Sequence, residues 1–102
     1  MTTGETKQGS PDEAGPEFRD NRTERRFEAV TDRGTATLDY TRQSDVIIFV
    51  HTEVPEALRG RGIAGALAAF GIDAARQEGL RIIAECPVVK KYLQTHPAPA
   101  GG

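Results

Sequence analysis

The sequence predicts an α+β fold: a mostly antiparallel sheet of about four strands, one long helix over it, and a short helix near the C-terminus. Three observations carry this. Between residues 25 and 50, apolar and polar side chains alternate in runs separated by turn-forming residues. Over residues 62–78 the apolar positions recur at helical spacing instead. A last apolar run, LRIIA, is followed by Cys-Pro and a second stretch of helical length. At 102 residues the chain has room for one domain.

Residues 1–22 are rich in Thr, Gly, Glu, Pro and Asp, with Phe18 the one large apolar side chain besides the first Met. Such a composition buries too little to offset chain entropy, so a disordered tail is expected there. The run 25–31 places Phe27 and Ala29 on one side. After the turn Asp32-Arg33-Gly34, the run TATLDYT places Ala36, Leu38 and Tyr40 on one face, which makes a hairpin. A second turn, Gln43-Ser44-Asp45, leads to 46–50, apolar on both faces as a central strand is.

In the helix 62–78, Ile63, Leu67, Phe70 and Ala74 mark the buried stripe, and Gly79 ends it. Its first half, with Ala64, Gly65, Ala66, Ala68, Ala69 and Gly71, is nearly free of side chains. Two glycines inside a helix cost roughly 1 kcal/mol each against alanine. Close packing on the sheet explains them, and so does room for a ligand over the first turn. Residues 80–84 form a short strand beside the central one, parallel to it through a right-handed crossover. Pro87 opens a final helix over 87–94. The domain is thus expected over 23–97, with 98–102 a frayed end.

Composition excludes several classes of function. Five acids and three bases in residues 1–22 account for the whole net charge of −2, and the remaining body is neutral, so no general nucleic-acid surface is expected. No apolar run is long enough for a bilayer, and the first residues lack the apolar core of a secretory signal. With a single cysteine there is no internal disulfide, and the cytoplasm is the expected compartment. No paired His or Cys spacing suggests a metal, and no Ser-His-Asp set can be assembled.

The chemistry concentrates where the central strand hands over to the long helix through PEALRGRG. A helix start leaves backbone N–H groups unpaired, with the positive end of the dipole behind them. Arg59 and Arg61 alternate with Gly60 and Gly62, so backbone can approach a ligand while guanidinium forks add charge-assisted bonds to phosphate. A pyrophosphate is the ligand such a turn fits.

These residues also carry a resemblance. The run EVPEALRGRGIAGALAAFGIDAARQEGLRIIAECPVVKKYLQTHP resembles the Gcn5-related N-acetyltransferase family, in its very small single-domain branch. The family motif of Gln or Arg, two residues, Gly, one residue, then Gly or Ala is matched by Arg59-Gly60-Arg61-Gly62-Ile63-Ala64, and the likeness covers residues 24–97. It implies a truncated version of that fold, with acetyl-CoA as co-substrate. Backbone amides of Arg61, Gly62, Ile63 and Ala64 would bind its pyrophosphate. The pantetheine arm would lie along the strand end at 49–54, Val54 included, where that strand splays from 80–84. Helices that precede the third strand in larger members are absent, so the amine side is open or completed by something else.

Acetyl transfer needs a neutral amine and a proton for the departing thiolate. Glu53, placed in phase with Phe49 and His51, is the candidate base; the alternative is a solvated or loop-bonded carboxylate. His51 is the second candidate because an imidazole titrates near neutral pH, with plain core packing as its alternative. Cys86, next to Pro87 at a helix N-cap, is set either to carry the acetyl group or to line the pocket. The resemblance implies Tyr92 as the group that protonates the leaving sulfur. Lys90 and Lys91 solvate their helix or reach the nucleotide phosphates, and Glu85 is a strand-end charge. The expected partners are acetyl-CoA and an unidentified amine, for a monomer or homodimer. The competing readings are a non-catalytic acyl-CoA-binding module and a protein-interaction domain on the same fold.

Overall fold

The computed structural model describes residues 15–96. The chain runs β1 (Glu17–Asn21), β2 (Arg26–Thr31), β3 (Gly34–Gln43), β4 (Val46–Glu53), α1 (Ile63–Gln77), β5 (Arg81–Ala84) and α2 (Pro87–Thr95). The strands form one sheet in sequence order. The first four are antiparallel neighbours, and β5 lies parallel to β4 after the crossover through α1. Alternation explains the sheet's inner face: Phe27 and Ala29 from β2, Ala36, Leu38 and Tyr40 from β3, Ile47 and Phe49 from β4 are all buried. Leu67, Ala68, Ile72 and Ala75 of α1 close over them. No helix is long and apolar enough to cross a membrane among the described residues.

Two expectations need correction. The sheet has five strands rather than four, because residues 17–21 of the segment expected as a tail form β1. Its stability comes from partners: five register pairs with β2, Phe18 stacked on Phe70 at 5.3 Å, and Arg19 and Asn21 bonded to Glu28. Tertiary pairing overrides a composition that carries one large apolar residue. Residues 1–14 of that expected tail and the expected frayed end at 98–102 lie outside the described residues.

The second correction concerns phase. Asp39 pairs with His51 and Tyr40 with Phe49, so Val50 is an extra residue in β4, a β-bulge. One extra residue inverts the alternation beyond it. Before the bulge Ile47 and Phe49 point inward; after it Thr52 and Val54 do, while His51 and Glu53 turn to the face away from α1. Glu53 is therefore out of phase with Phe49. His51, with a side chain 60% exposed, is not packed in the core.

Candidate functional site

The site begins where β4 and β5 part. Their register ends at Phe49 opposite Ala84, and the Phe49 carbonyl accepts hydrogen bonds from both Glu85 N (2.8 Å) and Cys86 N (3.2 Å). From there the chain turns into α2 while β4 continues to Glu53, which opens a notch along one edge of β4. Cys86 is the N-cap of α2 and is 2% exposed. Its Sγ lies 3.0 Å from Thr52 Oγ1. The bulge makes this contact possible, since it turns Thr52 inward.

The loop after β4 is anchored before it becomes open. Pro55 leads into a single 3-10 turn, Glu56–Leu58, and Leu58 is buried in the core at 1% exposure. Arg59 Nε donates to the Val54 carbonyl at 3.2 Å, which draws the guanidinium back across the strand end. Gly60 and Gly62 then take left-handed backbone, with φ of 81° and 77°, a region costly for any residue with a Cβ. A Cβ built at either would meet nothing within 4 Å, so the backbone there faces open space.

Gly62 is the N-cap of α1, and its carbonyl accepts from Ala66 N at 3.1 Å. No side chain caps this end and no acid stands in the first turn. The amides of Ile63, Ala64 and Gly65 precede the first amide that has an intrahelical partner, and the positive end of the helix dipole lies behind them.

Beside this end lies a groove of about 320 Å3, lined by Gly65 of α1 and by Val88, Lys91, Tyr92 and Thr95 of α2. The two glycines of α1 separate here. A Cβ on Gly71 would stand 3.0 Å from Phe27 and 3.1 Å from Phe49, so close packing accounts for that position. A Cβ on Gly65 would meet nothing within 4 Å and would fall on the groove side. Close packing therefore explains Gly71 and does not explain Gly65. Tyr92 is held in the groove by His96, whose ring stacks on it at 4.1 Å with 7° between planes.

On the opposite face of the sheet, His51 Nε2 lies 2.9 Å from Glu53 Oε1, with the two side chains 60% and 65% exposed. The structure thus gathers Val54 and the residues 59–64 into one loop, puts Tyr92 and Lys91 in the adjoining groove, and seats Cys86 at the floor of the notch. His51 and Glu53 form a pair on the other face. Two contributors escaped the sequence reading. Thr52 became visible only through the bulge, and His96 has no signal beyond its spacing of four from Tyr92.

Comparison with known proteins agrees with this geometry. The family model described as GCN5-related N-acetyl-transferase matches residues 26–100. Protein NATD1 of Bos taurus and of Homo sapiens are each 32% identical over 96 residues, covering 94% of this chain and 84% of theirs. Protein NATD1 of Xenopus tropicalis is 36% identical over 74 residues, covering 72% of this chain and 67% of its own. From the notch between β4 and β5, the uncapped α1 terminus and these matches together, the chain belongs to the GCN5-related N-acetyl-transferase family.

Proposed function

We propose that this protein binds acetyl-CoA and transfers its acetyl group to an amine. The observation that carries the reading is the α1 N-terminus: glycines in left-handed backbone, no side-chain cap, no acid in the first turn, and open space where a Cβ on Gly60 or Gly62 would stand. A diphosphate fits this set, because it can accept from first-turn amides that have no side-chain cap among the described residues, and it meets the positive end of the helix dipole. Arg59 and Arg61 border the same turn and add charge of the right sign.

The rest follows from what the chain places around the notch. Acetyl-CoA supplies the activated acyl group. The edge of β4 beyond Phe49, left without a strand partner by the turn into α2, offers backbone polar groups to an extended arm. The groove at Gly65 and Tyr92 gives that arm a second wall, and Tyr92 holds a hydroxyl there from which a proton can pass to a departing sulfur. The face of the sheet away from α1, open at Glu53 among the described residues, admits the amine. Glu53, paired with His51, stands on that face and takes the amine proton, which leaves a neutral nucleophile. Burial and the Thr52 contact favour Cys86 as a wall of the notch over Cys86 as an acyl carrier.

One observation favours a second reading, binding without turnover: Glu53 and His51 are both largely exposed, whereas catalytic bases are commonly enclosed. Calorimetric titration with acetyl-CoA, with release of free thiol followed over a panel of amines, tests both. The intact chain is expected to bind, and Arg59→Ala with Arg61→Ala to weaken binding by about a hundredfold, the equivalent of two charge-assisted bonds. Equal affinity in that double variant would overturn the loop assignment. Binding with no thiol release from any amine would select the non-catalytic module.

A further inference from the structure

The far end of α1, about 22 Å along the helix from the loop that starts it, gathers a second group of arginines. Arg22 and Arg25 come from the β1–β2 turn and Arg42 from the end of β3. With Tyr40 they line a cavity of about 310 Å3. Two of the three have a structural task. Arg22 donates through Nε to Asp20 at 3.1 Å and through a terminal nitrogen to Glu78 at 2.9 Å. Arg42 contacts the other Glu78 oxygen at 3.0 Å. Glu78 is the C-cap of α1, so both cations also meet the negative end of the helix dipole. These contacts tie the sheet end to the helix end, and no ligand is needed to explain them.

Arg25 is different. Its backbone is left-handed, with φ 58°, uncommon for a residue with a long side chain. Its carbonyl accepts from Tyr40 N at 3.0 Å, which holds this conformation in place and fixes the residue at the cavity. Its guanidinium has no hydrogen bond or ion pair among the described residues. Three arginines therefore line one cavity, and the carboxylates bonded to them are Asp20 and Glu78. Asp20 also accepts from the Tyr40 hydroxyl at 2.6 Å, so it is committed inside the wall. Arg22 uses two of its five N–H donors on protein partners, and Arg25 none.

We propose that this cavity binds a small multivalent phosphate anion, with the Arg25 guanidinium as its principal contact and Arg22 and Arg42 as flanking donors. The site is separate from the acetyl-CoA loop and does not depend on that reading. Arginine forks match phosphate oxygens in pairs, and two of the three here are already oriented by Glu78 and Asp20, which lowers the entropic cost of gathering them.

The test is a titration of the full chain with inorganic pyrophosphate, followed through the arginine Nε–Hε signals by NMR, with sodium chloride at matched ionic strength as control. Saturable shifts of Arg22, Arg25 and Arg42, absent with chloride, are expected. Arg25→Gln, which removes the charge and shortens the side chain but keeps a polar end, is expected to weaken them by about tenfold while leaving signals of the α1 loop unchanged. Shifts that never saturate, that chloride reproduces, or that Arg25→Gln leaves intact would overturn the proposal.

Discussion

Two carboxylates on the same face of the sheet, the one away from α1, have opposite surroundings. Glu28 of β2 is 5% exposed, with Arg19, Arg26 and Asn21 bonded to it at 2.9–3.0 Å. Glu53 of β4 is 65% exposed and has His51 as its contact. The hydrogen bond from Asn21, followed by that from Arg26, holds the Glu28 carboxyl below its ordinary value and outweighs its burial. At the β1–β2 edge the bare face seals itself with ions; past the bulge in β4 it stays open. Among the described residues, one end of this face is thus closed by ion pairs while the other stays exposed.

The largest effect expected from this contrast is on stability. Glu28→Gln removes charge from three hydrogen bonds and should cost about 1.5–3 kcal/mol in chemical denaturation. Glu53→Gln, on an exposed side chain, should stay within about 0.5 kcal/mol. The pH dependence separates them further. Because the folded pKa of Glu28 lies below the ordinary 4.5, its contribution is present above 4.5 and is lost as pH falls through the folded value. The intact chain should therefore lose stability in that acid range more steeply than Glu28→Gln. Equal slopes, or an equal cost for the two substitutions, would erase the distinction.

The helix carries the same division, closed core against open site, in its two glycines. Gly71→Ala puts a methyl 3.0–3.2 Å from the Phe27 ring and 3.1 Å from Phe49. Phe27 has little room to retreat, since Tyr40, Phe49 and Phe70 ring it at 4.9, 6.1 and 5.8 Å. Overpacking costs about 1–3 kcal/mol, and the alanine returns roughly 1 kcal/mol of helix propensity. A net loss of about 1 kcal/mol is expected in a denaturant titration. A gain would mean that the ring cluster yields more easily than its packing implies.

How much of this was legible beforehand depends on whether a feature belongs to one segment or to a pair. The hairpin around Gly34, the central strand, the helix with its Gly79 stop and the Cys86-Pro87 start of α2 are written in local spacing and turn chemistry, and all appear. So does the glycine-arginine turn, because left-handed backbone leaves few residue choices. β1 was not legible: its order depends on the partners that Glu28 and Phe70 supply from elsewhere in the chain. The bulge at Val50 was not legible either, since register belongs to β3 and β4 jointly, and one skipped pairing exchanged Glu53 for Thr52 at the notch. The error fell on the candidate site because the strand is irregular there.

Gly65 is the gentler and more informative half of the helix comparison. With nothing within 4 Å of a built Cβ, Gly65→Ala meets no clash and gains helix propensity, so the chain should become more stable by about 0.5–1 kcal/mol. The same methyl would project into the groove shared with Val88 and Tyr92. If that groove holds the arm of acetyl-CoA, a stabilised protein should bind it less tightly, and titration calorimetry on the pair of proteins reads both quantities. Stability and affinity moving in opposite directions on one methyl group is an outcome that general damage to the fold cannot produce. Unchanged affinity in the stabilised variant would place the ligand arm elsewhere and leave Gly65 without a functional reason.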